Sequence, residues 1–206
     1  RPLSWSVDSL EYSWERAIST YNTAFSFVAQ LRDYLPNEIG GLMWFGVDDS
    51  YTTCYFPVYC CVTAISEPFR TGDINHYSRE SAWWAFNLAA NYANTRYQDI
   101  VVDIQVKQSQ LENLMGKKQD SVEMEALKLP KELRIPFLTN YSARTGEWVH
   151  QQWLYLGDFI ITKYNDGYVK DEDYRIQTKG YSEEWLRFVR DQDPEKHLIK
   201  GVAKEL

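Results

Sequence analysis

The sequence predicts an α+β fold in which an antiparallel strand meander is covered by two long helices. Residues 24–62 alternate apolar and polar side chains between clusters of turn residues, the period of half-buried strands. Residues 78–166 repeat apolar side chains at steps of three and four over two long stretches, the period of amphipathic helices. With 206 residues, 44% hydrophobic and 25% charged, the chain suffices for a single domain or for part of a larger one.

Residues 1–23 mix Trp5, Trp14 and Ile18 with Ser, Asp and Glu, and read as an irregular lead-in. In the first strand, alternation sets Phe25, Phe27, Ala29 and Leu31 on one face and Ser26, Val28, Gln30 and Arg32 on the other. Leu35 to Gly41, with one Pro and two Gly, forms a connection. Met43–Val47 and Thr52–Val62 then make a hairpin around Asp48-Asp49-Ser50-Tyr51. A polar loop, SEPFRTGDINHY, leads to a helix expected to start near Ser78. Its apolar row runs Phe86, Ala89, Ala93, Tyr97, Ile100, Ile104, Leu111, Met115, which predicts one helix on the order of 50 Å long ending at the GKKQD stretch from Gly116. A short helical piece, 121–128, follows. Pro130 and Pro136 frame the second long helix, whose face runs Tyr141, Thr145, Val149, Trp153, Leu156, Ile160, Tyr164, with Gly167 as its left-handed stop. Beyond Tyr168 the chain is a charged tail, 168–206, with one further helix, Glu183–Arg190, capped by Ser182.

Composition narrows the function classes. The net charge of −7, with no basic stripe, makes nucleic acid a poor partner. No run approaches the roughly twenty apolar residues of a membrane span. Eight Trp and fifteen Tyr read as large core side chains, or as a surface for stacking sugars in a non-catalytic binding module. Cys54 and Cys60 share a strand face but lie about 20 Å apart at ordinary strand rise, and Cys60 and Cys61 point to opposite faces, so free thiols are expected. Ligand spacing is missing from the three Cys and from His76, His150 and His197, and the sequence holds no Gly-rich phosphate loop. No metal and no cofactor is expected.

Three residues stand out as substrate-contact candidates. Asp48 and Asp49 at the hairpin tip suit a substrate ammonium, although tight turns use Asp for their own backbone. Arg32 suits a carboxylate in a bidentate pair, or serves as an ion-paired structural residue. Asn87, Asn91 and Asn94 line one side of the first long helix and are expected to bond neighbouring loops or backbone.

The segments FSFVAQLRDYLP, IGGLMWFGVDDSYTTCYFPVYC and ESAWWAFNLAANYANTRY resemble the C-terminal half of dipeptidases of peptidase family C69, relatives of secernin. The later block LTNYSARTGEWVHQQWLYLGDFIITKYNDGYVK is similar to bacterial, particularly Bacteroides-type, members. The resemblance implies an N-terminal nucleophile hydrolase, an αββα sandwich in which a Cys at the mature N-terminus attacks the scissile carbonyl and its own amine acts as base. This chain begins at Arg1, so that nucleophile is expected outside it, and the chain alone is expected to be inactive. Its expected partners are a dipeptide, with Arg32 and Asp48 at the two charged ends, and the missing N-terminal half. An apolar sheet face left open by that half is expected to pack against something, a second copy of the chain included. Localisation is not set by the sequence; export with a signal upstream of Arg1 is compatible with the bacterial resemblance.

Overall fold

The computed structural model describes residues 4–15, 17–177, 180–196 and 198. It divides into two units, Arg1–Gly167 and Tyr168–Leu206. The opening stretch, expected to be irregular, contains a hairpin instead: β1 (Ser4–Val7) pairs antiparallel with β2 (Leu10–Ser13). Asp8 and Ser9 between them both take positive φ, 51° and 64°, as a two-residue hairpin turn requires. Trp5 stacks on Tyr12 directly across the ladder.

The meander is present as β3 (Phe25–Leu31), β4 (Gly41–Val47) and β5 (Phe56–Tyr59), in spatial order β3-β4-β5, with the one-turn helix α1 (Asn37–Gly40) between the first two. The third strand is shorter than expected, because Thr52, Thr53 and Cys54 are buried in the connection rather than in the ladder. Thr53 ties that connection down by donating to the Val47 carbonyl at 2.7 Å. Gly46 permits this: a Cβ there would stand 2.8 Å from the Thr53 side chain.

The long helices differ from the expectation at two points. The first stretch is two helices, α2 (Ala82–Ala93) and α3 (Tyr97–Lys128). At the break, the Thr95 hydroxyl donates to the Tyr92 carbonyl and Arg96 leaves the helical region at φ −155°, ψ 66°. Short polar side chains that bond nearby carbonyls compete with helix continuation, and Asn94 and Thr95 supply two in succession. Gly116 does not end the second helix. A mid-helix Gly costs only about 1 kcal/mol, and burial of Met115, Val122 and Ala126 on either side carries α3 through it.

Helix α4 (Lys131–Tyr164) runs unbroken past Pro136. Its buried row matches the expected one from Val149 to Tyr164. Toward its N-terminus the row shifts by one residue to Leu138, Ser142 and Gly146, because α4 there lies along the edge of β5. Ser142 Oγ accepts the Tyr59 backbone N–H at 3.3 Å, and Gly146 leaves room for Phe56 and Ser66. A Cβ at Gly146 would stand 2.9 Å from that of Ser66, so Gly146→Ala is expected to lower stability by about 1–3 kcal/mol in urea unfolding. Further along, Trp153 stacks on Phe86 of α2 with ring centroids 4.4 Å apart, and Gly167 closes the unit at φ 75°.

The second unit contains the short pair β6 (Val169–Lys170) and β7 (Ile176–Gln177) and the helix α5 (Glu183–Gln192). Ser182 caps α5 by accepting the Trp185 N–H, as expected.

Helix α3 covers one face of the three-stranded sheet, through Leu42 and Tyr59 against Val122 and Ala126. That face also carries Ser26, Gln30 and Arg32, which bond to its neighbours, while Val28 between them is left exposed. Phe25, Phe27 and Leu31 lie on the other side and are exposed.

Candidate functional site

The polar cluster at the end of β4 is built by the turn out of the strand. Asp48 takes φ 65°, a conformation Asp tolerates better than most residues, and its N–H still donates to the Ala24 carbonyl at 3.0 Å. The side chain turns inward and is 1% exposed. Asn87 of α2 donates to Oδ1 at 2.9 Å, and Asn91 donates to Asn87 Oδ1 at 2.7 Å, so a row of amides runs from the helix surface to the carboxyl. Oδ2 has no protein partner. Burial pushes the Asp48 carboxyl up to about 6, opposed by the Asn87 and Asp49 hydrogen bonds and assisted by the Asp49 charge.

Asp49 is more accessible. Its Oδ1 accepts from the Ser19 hydroxyl and from the Tyr51 N–H at 3.1 Å, and Ser50 donates to Ser19 at 2.9 Å. The bend before β3 and the β4 tip are thus stitched together around one carboxylate.

Arg32 sits at the other end of β3, 9% exposed and ion-paired with Glu123 of α3. Its second nitrogen donates to the Ile39 carbonyl at 2.9 Å. The same Glu123 oxygen accepts from the Tyr59 hydroxyl and from Gln119, each at 3.1 Å, and Gln119 and Trp44 both donate to Gln30. Burial, then the Glu123 carboxylate, hold the Tyr59 phenol protonated well above its ordinary range.

The structure therefore brings Asp48 and Asp49 together and separates both from Arg32. Asp48 lies opposite Ala24 and Arg32 opposite Gly40; the eight steps from Ala24 to Arg32 amount to about 27 Å at ordinary strand rise. A dipeptide spans about 7 Å, so Arg32 and Asp48 cannot hold the two ends of one dipeptide. Glu123 was not found by sequence reasoning, since a lone Glu in a charged helical stretch carries no signal of its partner 91 residues away. Asn87 did carry one, as part of the Asn row.

No side-chain hydrogen bond among the described residues reaches Cys54, Cys60 or Cys61, and all three are free. Burial pushes the Cys54 and Cys61 thiols up, away from the reactive thiolate. Buried His150 donates through Nε2 to the Arg79 carbonyl at 2.9 Å, and burial pushes its imidazole below the ordinary range. His76 pairs with Asp73 at the surface, and His197 lies outside the described residues. Among the described residues no group of three or more His, Cys, Asp and Glu could hold a metal ion, and no helix is long and apolar enough to cross a membrane. An apolar pocket of about 150 Å³ opens on the sheet face opposite α3, between β4–β5 and the 65–69 segment, lined by Met43, Phe45, Phe56, Val58, Ile65 and Phe69.

The family model of peptidase family C69 matches residues 4–110, a little over half of the chain, including the whole meander, the Asp48–Asp49 tip and α2. The chain belongs to peptidase family C69. It is therefore the sequence of a peptide hydrolase, and the match contains every sequence-derived site candidate. A comparison with curated proteins finds no match. Trp153 is fully buried, and Trp44, Trp83 and Trp84 are half-buried in ring contacts or hydrogen bonds, so these four do not form an open stacking platform.

Proposed function

We propose that this chain supplies the C-terminal part of a cysteine-type dipeptidase of family C69, whose nucleophile is an N-terminal Cys carried by another stretch of polypeptide. The C69 match over residues 4–110 carries the reading. The state of the three cysteines supports it: two have thiols held up by burial, and among the described residues none is hydrogen-bonded to a side chain that could act as its base. In this reading the remaining strands complete an αββα sandwich against the exposed β3 side chains Phe25, Phe27 and Leu31. Asp49, the accessible carboxylate of the tip, contacts the substrate ammonium; Asp48 and Asn87 position the turn behind it, and Arg32 is structural.

The purified chain is expected to release no amino acid from dipeptides. Co-expression with the polypeptide bearing the N-terminal Cys restores hydrolysis, and Asp49→Asn in that assembly raises KM more than it lowers kcat. Hydrolysis by the chain alone that is lost on Cys54→Ala or Cys60→Ala would overturn the reading.

A further inference from the structure

The entrance to α2 holds hydrogen-bond donors with no partner among the described residues. Ser81 stands at the N-cap in an extended conformation, φ −86° and ψ 123°, yet its side chain makes no cap hydrogen bond. Ser81 is 1% exposed, and no hydrogen bond among the described residues reaches its hydroxyl. The first turn of a helix has N–H groups without an intrahelical acceptor. In α2 the Ala85 N–H donates to the Ser81 carbonyl at 3.1 Å, and the N–H groups of Trp83 and Trp84 before it stay open. No acidic side chain sits in that turn to offset the positive end of the helix dipole.

These groups line a cavity of about 330 Å³ between α2 and the 69–74 segment, with Phe69, Arg70, Gly72 and Asp73 on the facing side. A Cβ at Gly72 would stand 2.5 Å from Ser81 Oγ, so the glycine is what leaves the hydroxyl room toward the cavity. Trp84 is fixed by donating through Nε1 to the Asp73 carbonyl at 2.9 Å, and Trp83 meets it edge-on with ring centroids 4.8 Å apart. Arg70 reaches Glu67 at 3.6 Å in a loose, exposed pair, whereas the Asp73 carboxylate is taken up by Asn75 and His76. A hydroxyl buried to this degree, at a helix N-terminus without a cap, calls for an acceptor that the chain does not supply. Both walls belong to this chain, so the space is a cleft of its own and not a sheet face that another layer would cover.

We propose that this cavity binds the free α-carboxylate of a short peptide. The Ser81 hydroxyl and the first-turn N–H groups donate to the carboxylate, Arg70 adds a positive charge at the rim, and the aromatic walls take the terminal side chain. The charge balance selects a monoanion: Arg70 and Asp73 cancel, leaving a helix end and neutral donors, which is too little for a doubly charged phosphate. The inference rests on the peptidase reading for the identity of the ligand, and it supplies the carboxylate anchor that Arg32 cannot be. Trp83 lies one turn before Asn87 on the same stripe of α2. Ser81 precedes Asn87, the partner of Asp48, by six residues, or about 9 Å at 1.5 Å per residue. Two to three peptide residues at about 3.5 Å each cover that distance.

The test is titration calorimetry of the full chain with N-acetyl-phenylalanine, with its amide and with inorganic phosphate, alongside the backbone amide NMR signals of Trp83 and Trp84. Ser81→Ala deletes a hydroxyl that the fold does not use, and circular dichroism checks that the variant stays folded. Ser81→Asp places a carboxylate in the cavity as a helix cap. Expected are saturable binding of the carboxylate with shifts at Trp83 and Trp84, and none of the amide. Ser81→Ala should weaken binding about tenfold, the worth of one hydrogen bond to a charged group, and Ser81→Asp should abolish it. Equal binding of the amide, equal or tighter binding of phosphate, or an affinity unchanged by both variants overturns the proposal. So does binding by the chain that disappears in its assembly with the polypeptide bearing the N-terminal Cys, because the cavity would then be a contact for that polypeptide. The two readings fail separately. Carboxylate binding in an assembly that hydrolyses nothing keeps the site and defeats the peptidase reading, while hydrolysis with a KM unmoved by Ser81→Ala keeps the peptidase and defeats the site.

Discussion

Glu123→Ala is expected to lower the unfolding free energy by about 3–5 kcal/mol, the range found when one partner of a buried ion pair is removed. Three donors converge on one Glu123 oxygen: Arg32, the Tyr59 hydroxyl and Gln119. Taking that oxygen away leaves the Arg32 guanidinium buried with only the Ile39 carbonyl, and leaves the Tyr59 phenol without its acceptor. The damage falls where α3 meets all three strands, so a fall in the urea midpoint should come with loss of the sheet signal. The double variant Arg32→Met with Glu123→Leu should recover most of the loss, because replacing both charges removes the uncompensated one. A single-variant cost below about 1 kcal/mol would mean that water reaches the pair in solution.

Asp48 gives the chain a pH dependence of opposite sense to that of an ordinary salt-bridged carboxylate. Its folded-state value of about 6 lies above the ordinary 3.8, so the folded state holds its proton more tightly than the unfolded state does. The associated stability is fully present below about pH 4 and is lost as pH rises from there through 6. The total is about 3 kcal/mol at 1.36 kcal/mol per unit. Buried His150 acts the other way: burial depresses its folded value, so its contribution is present above the usual imidazole range and is lost as pH falls. Comparing the chain with Asp48→Asn isolates the carboxyl. The substitution should be neutral or stabilising at pH 8 and lose that advantage at pH 4.5. A difference between the two proteins that does not change with pH would show that Asp48 is ionised in the fold across that range.

Neither effect could be located from sequence, although Arg32 and Asp48 both stand out there as candidate site residues and Glu123 does not. Period-2 alternation shows that β3 has two unlike faces, but not which one the helices cover. The apolar row Phe25, Phe27, Leu31 proves to be the open one, and the row with Gln30 and Arg32 the covered one. Arg32 read equally well as a carboxylate anchor or as an ion-paired residue. The outcome depends on Glu123, which α3 reaches because it runs through Gly116 instead of stopping there. Asp48 and Asp49 are adjacent in sequence and alike in chemistry. The positive φ at Asp48 sends one carboxyl inward to Asn87 and leaves the other near the surface with Ser19.

By itself the sequence determined the α+β class, the order of the meander, the amphipathic rows of the long helices, the Ser182 cap, the Gly167 stop and the C69 resemblance. Each of these rests on local spacing or on residue wording, which needs no knowledge of distant neighbours. Only the tertiary structure decided where the first long helix breaks, which side of the sheet is covered, and that Arg32 and Asp48 stand at opposite ends of the β3–β4 ladder. Those outcomes are set by burial and by partners tens of residues away, where desolvation outweighs local preference.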